Sequence, residues 1–139
     1  MGYDELRKLY LARLRPVVAE AARASMPARP WFRFVWLEAD RHRDPDNVRV
    51  GAKLILDALV LGGVLPGDGA AVVGGFATDV FGYGFQPSVG VFAREDLNGP
   101  DVWRMDIPFR LPDLNEIIAA ARQDGILTER TRQARRGRS

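Results

Sequence analysis

Two aspartates frame a proline in Asp44-Pro45-Asp46-Asn47, and a third, Asp68, stands between glycines in Gly67-Asp68-Gly69. Carboxylates at segment ends offer hard oxygen donors to a divalent cation. Mg²⁺ takes one or two such groups from a protein and completes its shell with water and substrate phosphate. Two ions roughly 4 Å apart can clamp the attacking and leaving oxygens of a phosphoryl displacement. In an extended segment residues i and i+2 face the same way, so Asp44 and Asp46 could look into one cleft. The same residues also have an ordinary reading. Asp44 starts a turn, Asp46 caps the helix that follows, and Asp68 serves turn chemistry. Spacing alone leaves both readings open.

Lys53 presents a similar choice. It lies at helical spacing from Val50 and Asp57, one to two turns past the aspartates. An ammonium there could touch a scissile phosphate or offset repulsion between carboxylates. Otherwise Lys53 and Asp57 form a surface pair worth on the order of a few tenths of a kcal/mol.

These residues need elements to hold them. The apolar positions Leu6, Leu9, Tyr10, Leu14, Val17, Val18 and Ala21 predict a helix over residues 3–26, with Pro16 kinking it or opening a second one. After the breaker Met26-Pro27-Ala28-Arg29-Pro30, the aromatic and β-branched run 31–37 reads as an interior strand covered on both faces. Residues 47–62 return to helical spacing and end at Gly62-Gly63. Segments 71–76 and 87–94 read as strands, with 78–85 as a hairpin loop. Residues 111–123 predict a last helix with Asp113 near its start. The expected fold is α/β or α+β, with a small mixed β-sheet packed against helices. One domain would span 1–128, followed by a charged, mobile tail over 129–139.

Composition narrows the chemistry. The chain has 139 residues, 47% hydrophobic and 27% charged, which suits one globular domain with one core. It has no cysteine, which excludes disulfides, thiolate metal sites and a cysteine nucleophile. With His42 alone, no site of several imidazoles can form. Net charge is only +2, but arginines are unevenly spread. Arg41 and Arg43 flank His42 before the aspartate pair, and Arg130, Arg132, Arg135, Arg136 and Arg138 crowd the end. The first residues lack a secretory signal pattern, and the longest apolar run, 54–65, is broken by Asp57 and too short to span a bilayer. A cytoplasmic protein with no membrane association is expected.

The stretch 41–76 resembles the RusA-like family of phage and prophage Holliday junction resolvases. The resembling residues are Arg43-Asp44-Pro45-Asp46-Asn47, then Lys53-Leu54-Ile55-Leu56-Asp57-Ala58-Leu59, then Gly63-Val64-Leu65-Pro66-Gly67-Asp68. The resemblance implies a small homodimer that cuts branched DNA, such as four-way junctions, with Mg²⁺ or Mn²⁺, in a bacterial or phage-infected cell. Asp44, Asp46 and Asp68 match its metal ligands and Lys53 its catalytic helix lysine. Asn47 and Asp57 match supporting positions. Arg41, Arg43, Arg49 and Lys53, with the C-terminal arginines, are then expected to contact phosphates. Gly67 stands where members often carry a second Asp or Asn, and the chain starts almost at the first helix. These departures motivate one alternative, an inactive relative that binds branched DNA; another is a structural phage protein whose aspartates are only caps and turns.

Overall fold

The computed structural model describes residues 1–136, with side chains described through residue 125. Its elements run α1 (Tyr3–Ala21), β1 (Trp31–Glu38), α2 (Pro45–Arg49), α3 (Gly51–Leu61), β2 (Gly75–Phe76), β3 (Val80–Tyr83), β4 (Ser88–Arg94), β5 (Asp101–Ile107) and α4 (Leu114–Arg136). The result is a small α+β domain built on one mixed sheet of five strands.

β1 lies inside the sheet. It pairs antiparallel with β4, and β4 with β5. Its other edge is shared by two short parallel strands, β2 beside Trp31 and Phe32, and β3 beside residues 35–38. Burial along β1 alternates, so Phe32, Phe34 and Trp36 enter the core while Trp31, Arg33, Val35 and Leu37 are half-buried. The expected two-sided coverage is therefore one-sided. The same alternation puts Val89, Val91 and Ala93 of β4 and Trp103, Met105 and Ile107 of β5 on the core side. Tyr10, Leu14 and Val18 of α1 and Ile55, Leu56 and Leu59 of α3 complete that core.

The outer face is shielded by charge rather than by helices. Arg33 lies over the Phe92 ring at 4.4 Å, and Arg33 and Arg94 both bond Asp101, at 2.6 and 2.9 Å. An arginine stem covers apolar surface while its head stays polar, which explains how an apolar-looking strand can face outward on one side.

Four elements depart from the sequence pattern. Residues 47–62 are two helices with the break at Val50, and α2 begins at Pro45, so the capping position is Asp44 and Asp46 lies inside the first turn. The expected hairpin loop 78–85 contains β3, which pairs with β1 instead of turning back on a neighbour. β5, for which the pattern gave no element, forms the edge of the sheet. Its alternation places only Trp103, Met105 and Ile107 inside, too sparse a signal among exposed Asp101, Val102, Arg104 and Asp106. Residues 71–76 contribute strand only at Gly75–Phe76. Pro16 lies within a continuous α1.

α4 opens with reciprocal capping. Asp113 Oδ1 accepts from the Glu116 N–H at 2.9 Å, and Glu116 Oε1 accepts from the Asp113 N–H at 3.4 Å. Its backbone runs to Arg136, across the expected boundary at 128/129. The phosphate contacts expected of Arg130, Arg132, Arg135, Arg136 and Arg138 lie outside the described side chains. Among the described residues, no helix is long and apolar enough to cross a membrane.

Candidate functional site

The helical run α2–α3 positions most of the candidate residues. Pro45 at the first helical position fixes the backbone entering α2, and Asp44 before it is extended (φ −65°, ψ 141°). Its carbonyl accepts from the N–H groups of Asn47 and Val48, at 3.0 and 3.1 Å. The side chain of Asp44 makes no capping bond. Asp44 and Asp46 are both exposed, and neither carboxylate has a hydrogen-bond or ion-pair partner among the described residues. Asp46 nonetheless sits where a negative charge complements the α2 dipole.

Asp68 returns to α3. The turn begins where α3 ends, with Gly63 at φ 74°, a conformation that costs any other residue strain. The N–H groups of Val64 and Leu65 fold back onto the Leu59 carbonyl, at 2.9 and 3.2 Å, and Leu65 is buried. This anchored reversal brings Asp68 against Lys53, whose ammonium donates to it. The same ammonium lies 3.0 Å from Asp57, which also meets Arg7 of α1 at 3.5 Å. The hydrogen bond from Lys53 holds the Asp68 carboxyl below the usual carboxylate range. Asp68 first and Asp57 second raise the Lys53 ammonium above its ordinary value.

The structure therefore gathers Lys53, Asp57 and Asp68. It does not draw Asp44, Asp46 and Asp68 into one ligand set: among the described residues, no three carboxylate or imidazole groups lie close enough together to hold an ion. Three carboxylates repel one another, and the cation the protein itself offers to Asp68 is Lys53. The donor chemistry of Asp44 and Asp46 fits Mg²⁺ or Mn²⁺, since both are exposed, unpartnered carboxylates, one just before α2 and one in its first turn. Asn47, half-buried beside them, makes no side-chain hydrogen bond among the described residues.

The arginines divide. Arg43 is a structural clamp rather than a surface cation. Its side chain is 14% exposed, and it meets Glu38 at 2.6 Å, the Leu111 carbonyl at 2.7 Å, and Glu116 and Asp113 at 3.7 and 3.9 Å. Glu38 is a buried charge at the end of β1, so it needs that partner. Arg110 completes the network on Glu116. Arg41 is exposed and lies over the Tyr83 ring at 4.4 Å. Arg49 is half-exposed and donates from Nε to Asp79 at 2.7 Å.

Asp79 was invisible in the sequence. It falls in a segment that reads as a loop, and its partner Arg49 is thirty residues away. Only the docking of β3 beside β1 brings it under α2, where Trp36 Nε1 also donates to it at 3.1 Å. Glu38, Asp113 and Glu116 likewise gave no sign of converging on Arg43.

Comparison of the chain with protein-family models, with curated proteins and with solved structures finds no match.

Proposed function

We propose that the protein is a metal-dependent endonuclease that cuts Holliday junctions or other branched DNA by phosphodiester hydrolysis. The observation that carries this reading is the return of Asp68 onto Lys53, together with two unpartnered aspartates at the start of the preceding helix, α2.

In this reading Asp44 and Asp46 hold Mg²⁺ or Mn²⁺, with Asp68 as the third acidic ligand once the substrate's charges are present. A cation there would supply Lewis-acid stabilisation of the reacting phosphate and a more acidic water. Lys53 sits within reach of the same carboxylate and would steady charge developing on the phosphate oxygens. Asp57, 3.0 Å from the same ammonium, acts with Asp68 to raise Lys53 above its ordinary value. Arg41 and Arg49 bind backbone phosphates. A homodimer would place two such sites about a two-fold axis, as paired cuts in a junction require. Its setting would be the cytoplasm of a bacterial or phage-infected cell.

The test is cleavage of a synthetic four-way junction by the full chain in Mg²⁺, beside Asp46→Asn. Scission by the wild type and none by the variant is expected. No scission by the wild type, or equal scission by both, would sink the reading.

A second reading is favoured by the pairing of Asp68 with Lys53 in place of a gathered ligand set. It makes the chain a branched-DNA-binding relative without nuclease activity. Junction binding would then survive EDTA, with no strand cut under any divalent metal.

A further inference from the structure

Beside Arg49 lies a cavity of about 170 Å³, lined by Phe34, Arg49, Ala52, Phe76 and Asp79. Its carboxylate is unusual. The Asp79 side chain is only 5% exposed, and both of its donors, Trp36 Nε1 and Arg49 Nε, converge on Oδ2. The other oxygen, Oδ1, is buried without a hydrogen-bond partner among the described residues. A buried acceptor left unpaired carries a desolvation cost that a ligand donor would relieve. Arg49 is held by Nε alone, and its terminal nitrogens make no hydrogen bond among the described residues. Phe76 stacks on Phe34 at 6.2 Å and 24°, yet is 49% exposed, a large aromatic surface left to solvent.

We propose that this cavity is a subsite for one unpaired nucleotide of a DNA substrate, its phosphate on the outer nitrogens of Arg49 and its base against Phe76. The inference rests on the reading of the chain as a protein of branched DNA, and names how that protein would grip the branch. A guanidinium fixed through Nε presents its two remaining nitrogens as a fork, the geometry that suits phosphate oxygens. Asp79 anchors that fork to the core through Trp36. It also disfavours a second phosphate deeper in the cavity, so the polar end takes one anion only. An exposed phenylalanine offers a stacking face that every base can use. The volume suits one planar heterocycle, not a stacked pair. A base inside an intact duplex is already stacked on both faces, whereas a branch point supplies bases that can leave the stack at lower cost. Asp79 Oδ1 then offers an acceptor to a ligand amino group.

The experiment measures binding of a short oligodeoxyadenylate to the full chain in EDTA, so that no cleavage intervenes. The comparisons are an abasic oligomer of equal length and the variants Phe76→Ala, Phe76→Trp and Arg49→Gln, with folding checked by circular dichroism. Phe76→Ala should weaken binding about tenfold or more, and Phe76→Trp should retain it. Arg49→Gln should reduce the slope of log affinity against log salt by about one. The abasic oligomer should bind the wild type about as weakly as oligodeoxyadenylate binds Phe76→Ala. The proposal is overturned if the wild type does not bind the oligomer, if Phe76→Ala binds it unchanged, or if the abasic oligomer binds as tightly. Base-dependent binding by a chain that cuts no junction in Mg²⁺ would uphold the subsite and remove the nuclease reading alone.

Discussion

The Lys53 ammonium on α3 is tied to the Asp68 carboxylate fifteen residues further along the chain. The tie crosses a helix end, a left-handed glycine and a turn anchored by buried Leu65. It gives the pair a defined place although both side chains are exposed. Asp68→Asn should let the Lys53 ammonium fall back toward its ordinary value, read by NMR titration of the side-chain nitrogen. The melting temperature should barely move, because an exposed pair contributes little to stability. Junction cleavage should drop on the order of 10²-fold. Unchanged cleavage would remove Asp68 from the site.

Asp44→Asn and Asp46→Asn separate chemistry from capping. Both carboxylates are exposed and make no side-chain bond, so each substitution should change stability by no more than about 0.5 kcal/mol in urea titration. Cleavage in Mg²⁺ should be abolished by each. A loss of stability with no loss of activity would return both residues to the role of helix start.

Arg43 belongs to the fold. Arg43→Ala should cost about 3–5 kcal/mol, since it strands the buried Glu38 carboxylate without its partner. Arg43→Lys should recover only part, because one ammonium cannot reach Glu38 and the Leu111 carbonyl with the spread of a guanidinium. Chemical denaturation of both variants is the measurement. A fully stable Arg43→Ala would mean that the clamp is dispensable and free the residue for a DNA contact.

Acid should loosen the start of α4. Burial pushes the Glu116 carboxyl up, but hydrogen bonds from Arg110 and from the Asp113 backbone outweigh it and leave Glu116 below the usual carboxylate range. A carboxyl whose pKa is lower in the folded chain binds fewer protons there than when unfolded. Its contribution is therefore present above the unfolded value, about 4.3 for Glu, and is lost as pH falls through the folded value. The melting temperature should decline below about pH 4, and Glu116→Gln should flatten that decline. A profile identical in the two proteins would exclude Glu116 as a source of the acid sensitivity.

The sequence by itself determined the elements whose signal is local. The apolar spacing of Leu6, Tyr10, Leu14 and Val18 specified α1, and the aromatic run of Phe32, Phe34 and Trp36 specified β1. Gly62-Gly63 marked the end of α3, and Asp113 marked the beginning of α4. The candidates Asp44, Asp46, Lys53 and Asp68 were legible because they share one short stretch. Tertiary structure decided what no local pattern encodes. β5 has three core residues among exposed ones, and β3 lies in a run with two glycines, so both acquire strand identity only by pairing with β4 and β1. The burial of Arg43 depends on Glu38 meeting Leu111, Asp113 and Glu116 from a distant part of the chain. Asp79 gained its place from β3 lying against β1 and beneath Arg49. Charge pairing and burial depend on distance in space, and spacing along a chain fixes that distance only within one helix or strand.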